Sequence, residues 1–230
     1  MAIMINKINN EDVLLNEEEK ESILRIEKEF REGIDKVKDF GPSVTFYGSA
    51  RLGEDTVPYK KTRDLAYRIS KELNYAILCG GGGGIMEAAN RGAFEAEGQS
   101  VGLTIRLPHE QKTNLFVKDE IHFNYFFSRQ TSMSYATEVC IFCHGGFGTL
   151  SELFEILTLK QTGKIGNVPV ILYGNDFWAP IDNFIKNDLL KKHQTISESN
   201  LDLYQIVDNE DEIIEIIKNS KMRNGEDSLK

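Results

Sequence analysis

From Ser43 onward the chain alternates short, nearly unbroken apolar runs with longer stretches whose apolar positions recur at helical spacing. The runs Ser43–Tyr47, Ala76–Cys79, Ser100–Thr104, Val139–Cys143, Val168–Tyr173 and Gln205–Val207 read as strands. Between them, Tyr59–Leu73, Ile85–Glu97, Arg129–Thr137, Leu150–Thr162 and Trp178–Leu190 read as helices, with a last one at Asp211–Asn219. Strands that are apolar throughout, alternating with helices, predict a parallel sheet covered on both faces, a Rossmann-like α/β fold. Ahead of it, Asn16 to Phe40 reads as one amphipathic helix. Asn16 and Glu19 can form a capping box, Ile23, Ile26, Phe30, Ile34 and Val37 recur at helical spacing, and Gly41-Pro42 stops it. Without an internal repeat or low-complexity linker, residues 43–220 are expected to form a single domain. Residues 1–42 then supply a polar leader and the extra helix, and residues 221–230 a frayed polar tail.

In a sheet of this kind ligands bind beyond the carboxyl ends of the strands. Three predicted strands run into glycine at that end: Tyr47-Gly48-Ser49, Cys79 followed by Gly80 through Gly84, and Cys143-His144-Gly145-Gly146. The five-glycine run opens the helix that begins at Ile85. It is neither a Walker A loop, since no Gly-Lys-Ser/Thr follows, nor a dinucleotide fingerprint. A bare strand-to-helix turn needs one or two glycines, so five point to backbone N–H groups turned toward a ligand. His144-Gly145-Gly146-Phe147-Gly148-Thr149 repeats the design, with a helix expected to begin at Thr149 or just after and its first N–H groups suited to a phosphate dianion.

Composition narrows the partners. The 230 residues carry 27 Lys and Arg against 36 Asp and Glu, a formal charge of −9, which argues against a broad nucleic-acid footprint but not against one locally bound phosphate. No apolar run reaches bilayer length and no signal-like segment stands at the N-terminus, so a cytoplasmic protein without membrane contact is expected. Cys79, Cys140 and Cys143 do not make a disulfide framework. Cys140-x-x-Cys143 lies within one strand, where an odd spacing points the two thiols to opposite faces, and no second pair completes a zinc site. His109, His122, His144 and His193 show no metal-ligand spacing, so neither metal nor cofactor is expected.

The stretch His144-Gly145-Gly146-Phe147-Gly148-Thr149-Leu150-Ser151-Glu152 resembles the Pro-Gly-Gly-x-Gly-Thr-x-x-Glu signature of the Lonely guy (LOG) family. The similarity extends to Phe46-Tyr47-Gly48-Ser49-Ala50, to Gly82-Gly83-Gly84-Ile85-Met86-Glu87 and to Ser128-Arg129-Gln130, covering roughly Ser43 to Tyr173. Members were often labelled lysine decarboxylases, but the family activity is release of a base from a nucleoside 5′-monophosphate, leaving ribose 5-phosphate. The resemblance implies a Rossmann-like fold, a homodimer and a catalytic pair matching Arg129 and Glu152. It also implies substrate contacts from Gly48, Ser49, Gly82, Gly83, Gly84, Glu87, Gly145, Gly146, Gly148 and Thr149. Two positions depart from the pattern: Gln130 stands where the family has Lys, and His144 where it has Pro.

Glycosidic cleavage passes through an oxocarbenium-like sugar, which calls for a carboxylate near the ribose and a donor for the departing negative charge. Glu152 suits the first role, yet Thr149-x-x-Glu152 before an apolar run is also a capping box. Arg129 follows Ser128, a possible helix cap. A cation in a first turn opposes the helix dipole, which hints at another use, although the residue taken alone reads rather as a solvated surface Arg. Glu87 could hold a sugar hydroxyl or merely favour its helix start. Phe123, Tyr125, Phe126 and Phe127 read by default as core, with base stacking or a dimer groove as alternatives. A non-catalytic carrier of a nucleotide or of molybdenum cofactor would use the same loops without the Arg–Glu pair. A decarboxylase would need pyridoxal phosphate on a lysine that these motifs lack.

Overall fold

The computed structural model describes residues 16–106 and 112–220. The leader before Asn16, the tail from Lys221 and His109 lie outside them. Seven strands, β1 (Ser43–Tyr47), β2 (Ala76–Cys79), β3 (Ser100–Ile105), β4 (Asp119–Phe123), β5 (Val139–Phe142), β6 (Val170–Tyr173) and β7 (Gln205–Val207), form one sheet in the order β4-β3-β2-β1-β5-β6-β7. Every neighbouring pair is parallel, with Val44 of β1 in register with Ile77 on one side and Val139 on the other. The chain builds outward from β1 to β4 and then returns to place β5 on the other side of β1. The crevice at that reversal, over the ends of β1 and β5, is where a doubly wound sheet receives a ligand.

Among the described residues seven α-helices cover the sheet: α1 (Glu17–Val37), α2 (Val57–Leu73), α3 (Ile85–Glu95), α4 (Phe126–Ala136), α5 (Phe147–Gln161), α6 (Asn175–Phe184) and α7 (Glu210–Asn219). Leu65 and Ile69 of α2, Ile85 and Ala89 of α3 and Ile213 and Ile217 of α7 pack with Val44, Phe46, Ile77 and Ile141 on one face. Val37, Met133, Leu153, Ile156 and Trp178, from α1, α4, α5 and α6, pack with Tyr47, Leu78, Cys140 and Phe142 on the other. The predicted split of Cys140 and Cys143 across the sheet follows, and both side chains are buried. Trp178 is fully buried, and its indole N–H donates to the Phe142 carbonyl at 3.0 Å, so its one polar atom is satisfied inside the core.

The structure corrects the sequence reading at several points. β4 was not expected, because its charged residues mask a period of two: Ile121 and Phe123 are buried, Glu120 and His122 on the other face are exposed, and so is Asp119 at the strand's start, the pattern of an edge strand covered on one side. Of the four aromatics read as core, only Phe123 belongs there, since Phe126 and Phe127 are 55% and 50% exposed. α4 starts at Phe126 with Tyr125 at the cap position, so Ser128 is its third residue rather than its cap and Arg129 lies just beyond the first turn. α5 starts at Phe147, two residues before Thr149. On α1, the Asn16–Glu19 capping box forms as expected, with hydrogen bonds of 2.9 and 2.8 Å. Ile34 and Val37 are buried, but Ile23 is half exposed.

Candidate active site

Two backbone hydrogen bonds join the three glycine loops into one floor. Ser49 N donates to His144 O and Ile85 N donates to Ser49 O, each at 2.9 Å. The contacts leave no room for side chains at particular glycines. A Cβ on Gly84, which has φ +64°, would lie 2.3 Å from Ser49 O, and one on Gly48 would lie 2.3 Å from the Ile85 side chain. Gly81 O and Gly82 O both accept from the Asn114 side-chain amide, at 3.1 and 2.9 Å, so the five-glycine loop is held from below. Asn114 was not singled out from the sequence; nothing in its local pattern marks it, because it acts across 32 residues of chain.

α2 and α7 begin with side-chain caps from Thr56 and Asn209, whereas α5, with Gly146 at its cap position, has none. Gly146, Phe147 and Gly148 are exposed, while Thr149 is buried. A Cβ on Gly145 would lie 2.1 Å from Thr149 Oγ1, whereas Gly146 and Gly148 face open space. The start of α5 is therefore an uncapped, solvent-open helix N-terminus, the electrostatic partner of an anion.

Arg129 and Glu152 meet at this place. Arg129 Nη2 donates to Glu152 Oε1 at 2.6 Å, with the side chains 9% and 13% exposed. The guanidinium lies against the first glycine of the second loop, where a Cβ on Gly80 would come within 3.0 Å of Nη1. Arg129 Nε is buried without a hydrogen-bond partner, and the Phe126 ring lies 5.8 Å from the guanidinium carbon. The capping-box reading of Thr149 and Glu152 is overturned: Glu152 is the sixth residue of α5, a full turn too deep to reach the cap, and its carboxylate is turned to Arg129.

Burial pushes the Glu152 carboxyl above the ordinary carboxylate range, against the attraction of Arg129. One monodentate contact does not restore the hydration a carboxylate loses there. Glu155, three residues on along α5, is also raised, first by burial and then by the Glu152 charge. Sequence reasoning did not single out Glu155, although the i, i+3 spacing that puts two carboxylates on one face of a helix was available. Burial likewise drives the Cys79 thiol up to about 12, which makes it a poor nucleophile beside the second loop.

Glu87 is placed differently. Its carboxylate accepts from the Tyr59 hydroxyl of α2 at 2.9 Å, which draws it toward α2 rather than to the Arg129–Glu152 pair. A cavity of about 450 Å³ opens among Val57, Lys61, His144, Tyr173, Asp176 and Asp208, on the α2 side of the β5 end. It shares only His144 with the signature loop. The position of the chemistry is better judged from the paired charges and the uncapped helix than from this volume. Among the described residues no group of three or more His, Cys, Asp or Glu could hold a metal ion, and no helix is long and apolar enough to cross a membrane.

A model of the family described as possible lysine decarboxylase matches residues 86–217, more than half of the chain. The chain belongs to this family, the LOG family of the signature. A cytokinin riboside 5′-monophosphate phosphoribohydrolase of Rhodococcoides fascians is 25% identical over 152 residues, covering 63% of this chain and 74% of that protein. Among solved structures, the molybdenum cofactor carrier protein of Chlamydomonas reinhardtii is 21% identical with a TM-score of 0.58. The molybdenum cofactor binding protein of Rippkaea orientalis is 23% identical with a TM-score of 0.56, and each alignment covers 77% of this chain and 96% of the other. At that identity these two share the fold with this LOG-family chain, and the likeness extends no further.

Proposed function

We propose that this protein hydrolyses the N-glycosidic bond of a purine nucleoside 5′-monophosphate, AMP or a cytokinin riboside 5′-monophosphate, giving the free base and ribose 5-phosphate. The observation that carries the reading is the buried Arg129–Glu152 pair beside the uncapped, open start of α5. A phosphate held by the N–H groups of residues 147–149 directs the ribose toward the next turn of that helix, where Glu152 stands. Water adds to the anomeric carbon as the bond to the base nitrogen breaks. The bonding electrons leave with the base, and the proton lost by the water ends on the base nitrogen that the sugar has left. The Glu152 carboxylate faces the sugar as it becomes cationic, and Arg129 supplies a fixed donor for the negative charge on the departing base. The named activity of the Rhodococcoides fascians relative supports this reaction class. A cytoplasmic setting agrees with a nucleotide substrate.

A second reading, carriage of a nucleotide or of molybdenum cofactor, is favoured by the two carrier folds. Carriage uses glycine loops but has no need of an acid paired with a cation. The test is incubation with a panel of nucleosides and their 5′-monophosphates, with detection of free base. The proposal expects base release from AMP at a kcat/KM at least a hundredfold above that for adenosine. Equal values would overturn the phosphate's role, and tight nucleotide binding without any release would favour the carrier. We also infer a homodimer that covers the open side of the site, because Phe126, Phe127 and Phe147 are half to almost fully exposed there. Light scattering should give twice the 26.1 kDa chain mass; a fully active monomer would refute it.

A further inference from the structure

The N-terminal helix α1 lies outside the alternating strand–helix pattern, yet one of its carboxylates is buried against the segment that leads into Arg129. Glu29 is 9% exposed. Its Oε2 accepts from Asn124 N and from Asn124 Nδ2, both at 2.7 Å. Its Oε1 accepts from Tyr125 N at 3.1 Å and from Ser128 Oγ at 2.5 Å. All four partners are neutral donors, and they span residues 124–128. This is the entry to α4, a helix whose own cap residue, Tyr125, has no side chain able to serve it. The first turn of α4 then closes with Arg129 N donating to Tyr125 O at 3.2 Å.

A second feature one turn further along the same face of α1 keeps the two helices close. A Cβ on Gly33 would lie 2.7 Å from both the Phe123 ring and Ser132 Oγ. Glu29 and Gly33 are thus four residues apart on one face, the first capping α4 and the second admitting it. A carboxylate is also the favourable charge at a helix N-terminus. Burial alone would raise the Glu29 carboxyl, but the hydrogen bonds from Ser128, Asn124 and Tyr125 outweigh it and leave its pKa below the ordinary range.

We propose that Glu29 is a positioning residue for Arg129. Its four hydrogen bonds fix where α4 begins and thereby hold the guanidinium against Gly80 and Glu152. The consequence for turnover rests on the hydrolase reading, since a displacement of about 1 Å at a reacting group can cost about a hundredfold. Glu29→Gln keeps the size of the side chain but turns an amide NH₂ toward backbone N–H donors, and Glu29→Asp keeps the charge on a shorter stem.

The test measures kcat and KM for AMP at a temperature where circular dichroism shows each variant fully folded. In parallel, the rate at which phenylglyoxal modifies Arg129 is read by peptide mass spectrometry. Expected for Glu29→Gln are a tenfold or greater loss of kcat, a KM within about threefold, and severalfold faster modification of Arg129 with Arg51 and Arg63 unchanged. Glu29→Asp should recover part of both effects, and it carries the test if the Gln variant does not fold. Unchanged kcat per folded molecule together with unchanged Arg129 modification would overturn the proposal and leave Glu29 a purely structural cap. If the wild-type protein releases no base from any nucleotide, the hydrolase reading fails, and Arg129 modification alone then decides the role of Glu29.

Discussion

Replacing Glu152 by Gln separates the charge of the buried pair from its shape. Gln keeps an oxygen where Glu152 Oε1 now accepts from Arg129 Nη2 at 2.6 Å. Arg129 is therefore not stranded without an acceptor. What disappears is the difference between a charge-assisted and an ordinary hydrogen bond, about 1–2 kcal/mol. Part of that is offset, because the raised Glu152 pKa means the fold opposes the ionised form, and a neutral amide avoids this opposition. The net loss of stability should stay below about 2 kcal/mol, which for a chain of this length is a fall in Tm of about 4–8 °C at most. Turnover should respond far more. A carboxylate about 4 Å from a carbon that becomes cationic contributes about 4 kcal/mol at an effective dielectric near 20. At about 1.36 kcal/mol per decade, that is roughly a thousandfold in kcat. The assay is adenine release from AMP by chromatography, with Tm from circular dichroism and AMP affinity from calorimetry. The expected variant binds AMP within a few-fold of wild type, melts a few degrees lower and loses about three decades of kcat. A kcat within tenfold of wild type, with a Tm that falls by more than about 10 °C, would show that Glu152 braces Arg129 and takes no part in the chemistry.

Four further outcomes follow from the geometry of the site. Because Glu152 must be ionised and its pKa is raised by burial, the acid limb of kcat/KM should lie above the ordinary carboxylate range and vanish from the residual activity of Glu152→Gln. The folded chain holds this proton more tightly than the unfolded one, so stability should decline as pH rises through the raised pKa; denaturant titrations across pH should show a flatter profile in the Gln variant. Gly145→Ala, whose Cβ would come 2.1 Å from Thr149 Oγ1, should cost about 1–3 kcal/mol and raise the KM for nucleotide. Gly146→Ala, with nothing within 4 Å, should leave Tm nearly unchanged in the same melting experiment.

The parts of this fold visible in the sequence are those written in local pattern. Five of the strands are short, largely apolar runs, and three of them lead into the glycine loops, so the crevice and its loops could be placed from spacing alone. β4 escaped because an edge strand buries only Ile121 and Phe123 of its five residues, and three polar neighbours hide a two-residue period. The starts of α4 and α5 were misplaced for one reason: both lack a self-supplied cap, so the usual Ser/Thr marker pointed to Ser128 and Thr149, each the third residue of its helix. The pairing of Arg129 with Glu152 was legible only through the resemblance, because the two are 23 residues apart and α4 and α5 are separated by a strand. Glu29 and Asn114 act across still longer stretches of chain, where no periodicity connects donor to acceptor.

The bond from Ser49 N to His144 O bears on how this site would look to a mutational scan. The donor and acceptor are both main-chain atoms, and every residue type, proline included, brings a carbonyl to position 144. That accounts for a histidine standing where the family signature has proline: the exchange alters the side chain and leaves the acceptor in place. A survey that replaces side chains one at a time would therefore score much of this floor as tolerant. Its sensitivity would be concentrated at Gly48, Gly84 and Gly145, where any added carbon meets a neighbour. Tolerance at Ser49 or His144 in such a survey would report which atoms are being varied, and would say little about whether the position matters to the site.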